Sequence, residues 1–242
     1  MDSTGLFVIT VIFFATLVRS SLGFGEALLA VPLLAIVLPV EVAAPLAVLV
    51  SITIAGIVLA QDWRHVHFRS AGLLVLSTIV GIPLGLLLLT SAAEGVVKGL
   101  LALVIIVFAL YSLTLRNQRV LQDDGLAYVF GFGAGILGGA YGMNGPPLVI
   151  YGTLRRWSPE RFRSTLQGYF LPASAVGMFA YWRAGLWVPR VTHYYLLSLA
   201  PILVATLIGR AIHQRMDSGV FRTAIHIGLL SVGVLLLIQA LS

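Results

Sequence analysis

The stretch Ser20-Ser21-Leu22-Gly23-Phe24-Gly25-Glu26 interrupts the first apolar segment of the chain, which runs from about residue 4 to residue 38. An unbroken helix of that length would be about 50 Å long, whereas the hydrocarbon core of a bilayer is about 30 Å thick. Glycine adopts the non-helical backbone of a sharp turn more readily than any other residue. The segment is therefore predicted to form a helical hairpin that reaches into the membrane and turns at Gly23–Gly25.

The same feature recurs in the second half of the chain, where Gly142 lies 119 positions after Gly23. The recurring stretch is Gly138-Gly139-Ala140-Tyr141-Gly142, followed by Gly145-Pro146-Pro147. The same spacing separates further identical residues: Glu41 and Glu160, and Trp63-Arg64 and Trp182-Arg183. We therefore predict two transmembrane repeats, residues 1–119 and 120–242, within one integral membrane domain.

The composition is that of a helical membrane protein. The 242 residues are 59% hydrophobic and 10% charged, with a mean hydropathy of +1.02, whereas a soluble domain carries about 25% charged residues. The net charge of +6 arises largely from arginines in short loops, so it indicates membrane topology rather than binding to nucleic acid. Without cysteine the chain can form neither disulfides nor thiolate metal sites.

The segments after each predicted hairpin complete the fold class. Further apolar segments lie at about residues 42–60, 70–90 and 95–115 in the first half, and at about 165–182, 191–209 and 220–241 in the second. We therefore predict an all-α polytopic membrane protein with two inverted-topology repeats, each a glycine-broken helical hairpin followed by three transmembrane helices. Inversion follows because a hairpin that returns to its own side leaves an odd number of crossings in each half.

Basic loop residues orient this arrangement. With hairpins, one side of the membrane receives Arg64, Arg69, Arg116, Arg119, Arg155, Arg156, Arg161, Arg163, Arg210, Arg215 and Arg222, and the other receives Lys98, Arg183 and Arg190. Arginine and lysine accumulate on the cytoplasmic side of a membrane protein. The sequence thus predicts a multi-pass membrane protein with both termini extracytoplasmic.

Two glycine-rich tips that enter from opposite sides would meet near the middle of the bilayer. Interrupted segments in corresponding halves are the sequence pointer to the binding site of a secondary transporter. The helix N-termini at such a break favour an anion. The alternative is that the glycines only allow helices to pack closely.

Arg19 is the basic residue that lies within an apolar segment rather than in a loop. A charge at that depth is costly, so it is a candidate for anion binding. Two other interpretations remain open: a structural ion pair with Glu26 across the tip, or an arginine that snorkels to the interface.

The other candidate substrate-binding residues are small or neutral and lie at the tips or on the following helix. They are Ser20, Ser21, Gly23, Gly25, Gly139, Tyr141, Gly142, Asn144, Gly145 and Gln167. Asn144 and Gln167 could act as neutral donors, but an interhelical hydrogen bond explains Gln167 nearly as well. The serines are common at helix contacts, and Tyr141 is equally compatible with a gate and with packing.

The sequence contains no His-Glu-x-x-His, Gly-x-Ser-x-Gly or phosphate-binding motif, so we expect neither an enzyme nor a bound cofactor or metal.

The two glycine-rich stretches, with Val31-Pro32-Leu33 after the first and Gly145-Pro146-Pro147 after the second, resemble those of the sulfite exporter TauE/SafE family. The resemblance covers essentially the whole chain. It implies movement of sulfite, or of sulfonates such as sulfoacetate, across the bacterial inner membrane. Alternating access of the two halves around a midplane site would then export a small anion.

The transported anion, the direction of movement and its energetic coupling stay open from the sequence. A channel or transporter for another small anion or solute is an alternative, as is a membrane assembly protein without transport activity. A homodimer is compatible with the many small-residue helix faces, and the expected partners are the lipid bilayer and a small anionic substrate.

Overall fold

The computed structural model describes residues 3–114 and 121–213, together with positions 234, 237 and 238. Within the two continuous ranges the regular elements are helices. They are α1 (Ser3–Leu22), α2 (Glu26–Leu34), α3 (Val40–Asp62), a 3₁₀ turn (Trp63–His65), α4 (Phe68–Ser91), α5 (Glu94–Thr114), α6 (Ala127–Tyr141), α7 (Gly145–Leu154), α8 (Pro159–Arg183) and α9 (Pro189–His213). The segment predicted at 220–241 lies outside the described residues, except for positions 234, 237 and 238.

The helices confirm the prediction of an all-α polytopic membrane protein. Five of the described helices contain stretches long and apolar enough to cross a bilayer: Ser3–Leu22, Val40–Ala60, Phe68–Ser91, Glu94–Tyr111 and Pro189–Ile212. The helix α8 is also 25 residues long, but it carries Glu160, Arg161 and Arg163 near its start.

The first apolar segment breaks where the sequence predicted. The helix α1 ends at Leu22 and α2 begins at Glu26, with Gly23 and Gly25 at φ angles of +87° and +100°. These angles lie in a region that side chains with a Cβ strongly disfavour. The second break is similar, because Gly142 adopts a φ of +65° between α6 and α7.

The second hairpin enters and leaves at the same end of the bundle. The backbone amide of Leu121, before α6, donates to the carbonyl oxygen of Leu154, at the end of α7, over 2.9 Å. Nη1 of Arg155 donates to the carbonyl oxygen of Leu121 over 3.1 Å. The short arm α7 therefore returns to the level at which α6 started, as a re-entrant hairpin does.

The long arm of each hairpin packs on a helix from the other half of the chain. Among the described residues, the most extensive helix contacts join α4 to α6 and α1 to α9. The helices α3 and α8 pack against each other between these two pairs. The halves are consequently interlocked, and the short arms α2 and α7 lie where they meet.

Glycines bring α4 and α6 into backbone contact. A Cβ at Gly81 or Gly85 of α4 would meet the backbone of α6 at Phe132 or Ile136. Conversely, a Cβ at Gly131, Gly135 or Gly139 of α6 would meet the carbonyl oxygens of Leu74, Thr78 and Ile82, respectively. Because these contacts advance along both helices together, α4 and α6 run in the same direction. Small residues commonly allow such close approach of membrane helices.

A polar cluster around Asp124 closes the end of the bundle at which α4 and α6 start. Oδ1 of Asp124 accepts hydrogen bonds from Ser70 Oγ (2.6 Å) and from the Tyr151 hydroxyl (2.7 Å), and lies 3.4 Å from Nη2 of Arg155. Burial acts to raise the pKa of Asp124, but the two hydrogen bonds and the nearby positive charge together hold that pKa below its ordinary value. The ionised carboxylate thus ties the loop before α6 to α4 and α7.

We expect Gly85→Ala to destabilise the protein, by about 1–3 kcal/mol, because the new methyl group would overlap the carbonyl oxygen of Ile136. Gly72→Ala, on the same helix, is the matched control, since a Cβ there meets nothing within 4 Å. Its effect should be neutral or stabilising by up to about 1 kcal/mol, from helix propensity alone. Thermal unfolding in detergent measures both. Equal effects of the two substitutions would contradict the close helix contact.

Asp124→Asn should lower the unfolding temperature at neutral pH, because the carboxylate of Asp124 is stabilised in the folded state. A depressed folded pKa contributes stability that is fully present above the ordinary value of about 3.9 and is lost as the pH falls through the folded pKa. The difference in unfolding temperature between wild type and Asp124→Asn should therefore be constant from about pH 5 to 8 and shrink below about pH 4. The neighbouring Asp123→Asn is the charge-matched control and should change stability little, because Asp123 is exposed. A difference that does not narrow at low pH would argue against this ionised cluster.

Candidate functional site

The two hairpin tips meet at a small cavity in the middle of the protein. The first hairpin supplies Arg19, Gly25, Glu26, Ala27 and Leu28, the second supplies Gly142, Met143, Asn144 and Gly145, and the helices α3 and α8 add Ser51 and Phe170. None of these lining residues is exposed. The cavity is therefore enclosed between two short helices and two long ones.

Corresponding positions of the two halves line the cavity together. The pairs Gly25 and Asn144, Glu26 and Gly145, and Ser51 and Phe170 are each separated by the 119 positions that relate the halves. The members of a pair nevertheless differ in chemistry. The first half contributes the two charged groups, and the second half contributes neutral polar and backbone groups.

Arg19 lies in the last turn of α1 with its side chain 2% exposed, which excludes an arginine that snorkels to the interface. Its Nη1 donates to Glu26 Oε2 over 2.9 Å and to Ser51 Oγ over 2.7 Å. Its Nη2 donates to Gln167 Oε1 over 2.8 Å, and the guanidinium carbon lies 4.5 Å from the centre of the Phe170 ring. The ion pair with Glu26, one of the two alternatives to anion binding, is therefore present in this structure.

Gln167 connects the first tip to α8. Its Oε1 accepts from Arg19, and its Nε2 donates to the carbonyl oxygen of Gly23 over 2.8 Å. The amide thus holds both the guanidinium and the backbone turn beside it. This is the interhelical hydrogen bonding that the sequence left open, and here it positions Arg19.

Asn144 begins a chain of hydrogen bonds that leads away from the cavity. Its Nδ2 donates to the hydroxyl of Tyr169 over 3.2 Å. That hydroxyl lies 2.6 Å from Oγ1 of Thr78, which donates to the carbonyl oxygen of Gly131 over 2.8 Å. Because the Thr78 proton is used on Gly131, the Tyr169 hydroxyl donates to Thr78 and accepts from Asn144. The chain fixes the second tip against α8 and α4.

Five candidates from the sequence lie at the tips without lining the cavity: Ser20, Ser21, Gly23, Gly139 and Tyr141. Ser20 packs where α1 meets Gly209 of α9, and Ser21 Oγ donates to the carbonyl oxygen of Leu17. Gly139 faces α4, and the Tyr141 hydroxyl donates to the carbonyl oxygen of Val97 on α5. Gly23 forms the turn and bonds Gln167 through its carbonyl oxygen. These residues therefore fix the backbone of the tips and pack them against neighbouring helices, on the side away from the cavity.

Ser51 and Phe170 are lining residues that the sequence analysis did not single out. A serine and a phenylalanine in apolar helices are ordinary packing residues, and only the spacing of 119 positions relates the two. Glu26 carried a visible signal, since it is an acidic residue beside a buried arginine. The sequence analysis considered it only as the structural partner of Arg19.

Two polar atoms of the charged pair have no hydrogen-bond partner in the described part of the chain. These are Oε1 of Glu26 and Nε of Arg19, and both are buried. Buried polar atoms in proteins are nearly always bonded, so such an atom beside a cavity indicates a place for a ligand, a water molecule or a proton. Both atoms belong to residues that line the cavity.

The arrangement is suited to a small anion. The guanidinium of Arg19 carries the positive charge, and the N-termini of α2 and α7 both reach the cavity at Glu26 and Gly145. The first backbone amides of a helix have no partner within the helix and attract negative groups. At the start of α7 the donor is the amide of Gly145, because Pro146 and Pro147 have no N–H. An anion at Arg19 would have to share the guanidinium with Glu26.

Comparisons with known proteins agree on one family. The chain matches the family model for the sulfite exporter TauE/SafE over residues 8–236. A relative from Cupriavidus necator, named a probable sulfite/organosulfonate exporter TauE, is 30% identical over 184 residues, which are 75% of this chain and 70% of the relative. No solved structure matches the chain.

Arg19→Met should destabilise the protein by about 3–5 kcal/mol, because it leaves Glu26 buried and unpaired. The double variant Arg19→Met with Glu26→Gln should recover part of that loss, since the remaining buried charge is removed. Lys98→Met is the control: Lys98 pairs with Glu94 over 2.8 Å, but the Glu94 side chain is 56% exposed, so the change should stay within about 1 kcal/mol. Thermal unfolding in detergent compares the variants. A double variant no more stable than Arg19→Met would contradict the buried ion pair.

Proposed function

The chain belongs to the sulfite exporter TauE/SafE family, and we propose that it is a secondary transporter that exports a small sulfur-containing oxyanion from the bacterial cell. The substrate would be sulfite or an organosulfonate such as sulfoacetate. The observation that carries this proposal is the buried Arg19 at the cavity where the two hairpin tips meet. The protein is a transporter and not an enzyme.

The lining of the cavity supports an anionic substrate with several oxygens. A guanidinium offers a planar set of donors that matches the oxygens of a carboxylate or another oxyanion. In the proposed complex, Arg19 binds one or two of these oxygens, and the backbone amide of Gly145 at the start of α7 binds on the other side. Asn144 completes the site as a neutral group of the second tip, and Gln167 and Ser51 keep the guanidinium in place.

Alternating access is the mechanism that best fits an enclosed site. Arg19 and Glu26 are each 2% exposed and Asn144 is 5% exposed, so the conformation is closed to both sides at these residues. We propose that the two halves are inverted-topology repeats, 1–119 and 120–242, and that their relative movement opens the cavity to one side at a time. Support comes from the packing of α1 on α9 and of α6 on α4, because the long arm of each hairpin rests on the second segment after the hairpin of the opposite half.

The orientation in the membrane follows from the charges at one end of the bundle. The carboxylate of Asp124 lies within 4 Å of the side-chain nitrogens of Arg69 and Arg155. The start of α4, the loop before α6 and the end of α7 therefore meet at this end of the bundle. We propose that this arginine-rich end faces the cytoplasm of the inner membrane and that both termini are extracytoplasmic. A homodimer is part of the same proposal, because apolar side chains cover the outer faces of α4 and α5.

Sulfite or sulfoacetate should stabilise the purified wild-type protein against heating, and liposomes that contain the protein should release the same anion. Arg19→Gln should weaken binding about tenfold or more, because it removes a charged hydrogen-bond donor worth about 1.5–3 kcal/mol. Arg64→Gln is the matched control, since Arg64 is exposed on the 3₁₀ turn. The panel includes taurine, sulfate, acetate and chloride.

The outcomes separate the alternatives. If only another anion stabilises the protein and is released from the liposomes, the proposed substrate is wrong and the proposed site stands. Flux that survives Arg19→Gln unchanged would remove Arg19 from the site and favour a different path. Absence of both stabilisation and flux for every anion would overturn transport and favour a membrane assembly protein.

A further inference from the structure

We propose that Glu26 binds a proton when the anion binds Arg19, so that the transporter moves one proton together with each anion. The inference rests on the proposed function, because it assigns a second role within the same cavity. It names the coupling ion and the residue that carries it.

The first observation is the position of the Glu26 carboxyl group. Glu26 opens α2, its side chain is 2% exposed, and it lines the cavity. Its Oε2 accepts from Arg19, while its Oε1 is buried and has no hydrogen-bond partner within residues 3–114 and 121–213. A buried carboxylate oxygen without a partner has lost its hydration, and no hydrogen bond replaces it. A proton on Oε1 removes the negative charge, which is the larger part of that cost, and Oε2 can still accept from Arg19.

The second observation is that Glu26 is paired with the Arg19 guanidinium, the same group that the anion would bind. In the empty site the charges of Arg19 and Glu26 cancel, so an arriving anion would meet a guanidinium that is already neutralised. It would also leave an uncompensated negative charge in a poorly solvated cavity. When Oε1 takes a proton from water on the loading side, Arg19 is left with a full positive charge for the anion. The O–H bond breaks again when the anion leaves, and no electrons are transferred.

Among the residues that the structure describes, the surroundings of Glu26 assign this role to no other group. Arg19 and Glu26 are the ionisable residues that line the cavity. Of the helices packed against α2, α1 presents Arg19, and α5 carries Glu94 and Lys98, which pair with each other over 2.8 Å. The helix α3 carries Glu41 near its start, ten residues before Ser51, which is about 15 Å along the helix. Arg163 of α8 lies behind Gly23, outside the lining.

The coupling determines what drives transport. Fully ionised sulfoacetate is a dianion, so its loaded site with one proton carries a net charge of about −1, and a membrane potential that is negative inside favours its outward movement. For a singly charged anion, the empty pair and the loaded site with its proton are both neutral, so the membrane potential would not act on either form. Net movement is then outward whenever the product of proton and anion concentrations is larger inside. For each pH unit by which the cytoplasm is more alkaline than the outside, export requires an about tenfold higher anion concentration in the cytoplasm than outside.

The test is the pH dependence of sulfoacetate binding between pH 6 and pH 8, where sulfoacetate is fully ionised. Wild-type affinity should fall severalfold or more as the pH rises, approaching tenfold per unit. Titration calorimetry in buffers of different ionisation enthalpy should show uptake of up to one proton on binding. Glu26→Gln, which resembles the protonated residue, should bind with less than twofold variation over this range and take up no proton. Glu94→Gln, at an exposed carboxyl group, is the control and should behave as wild type.

Flux provides the second readout. Sulfoacetate leaving liposomes that contain the wild type should make the interior more alkaline, whereas Glu26→Gln should exchange sulfoacetate without moving protons. If wild type binds sulfoacetate with no pH dependence and no proton uptake, the coupling is overturned while the anion site stands. The calorimetry decides this on the wild type alone if Glu26→Gln does not fold. If wild type does not bind sulfoacetate at any pH, the coupling fails together with sulfoacetate as a substrate.

Discussion

A buried guanidinium in a membrane costs several kcal/mol unless it is paired and hydrogen-bonded. In this protein Nη1 and Nη2 of Arg19 are bonded to Glu26, Ser51 and Gln167, which come from α2, α3 and α8. The partners lie on both sides of the first turn and in both halves of the chain. The first hairpin, the central helix pair and the cavity are therefore held in one arrangement by the need to satisfy a single side chain.

The glycines allow that arrangement, but they act in two different ways. Gly23, Gly25 and Gly142 supply positive φ angles, so the chain can reverse within three residues at each tip. Others, such as Gly85 and Gly139, supply no unusual backbone angle and instead let α4 and α6 touch. The first group places the tips opposite each other, and the second sets how deeply the second hairpin is inserted.

The two tips are alike in backbone and unlike in charge. The first tip carries an ion pair, whereas the corresponding positions of the second carry Gly138 and Gly145, so the second tip has no charged side chain of its own. The net charge of the pair is zero until something changes it. A substrate anion and a proton change it in opposite directions, which is why the proposed transport of the one is linked to the other. The ion pair between Arg19 and Glu26 also joins the two arms of the first hairpin. Ligand binding and movement of the tips would therefore both change this ion pair.

The fold class could be read from the chain because it depends on local and additive properties. Hydrophobic length, the glycine interruption at Gly23–Gly25 and its recurrence at Gly142 each leave a direct mark on the sequence, and the helices end where those marks predicted. Arg19 could also be identified as a candidate, because a charged residue within an apolar segment is visible by itself, but the sequence left open whether its side chain is buried or reaches the interface. The partners of Arg19 could not be identified. Ser51 and Gln167 lie 32 and 148 positions away from it along the chain, and hydrogen bonds over such separations depend on how helices pack.

For the same reason the sequence could not separate Gly142, which lines the cavity, from Gly139, which faces α4 three residues earlier. Gly139 is still in α6, whereas Gly142 lies in the turn just after it, and only the tertiary structure determines that one contacts another helix and the other the cavity.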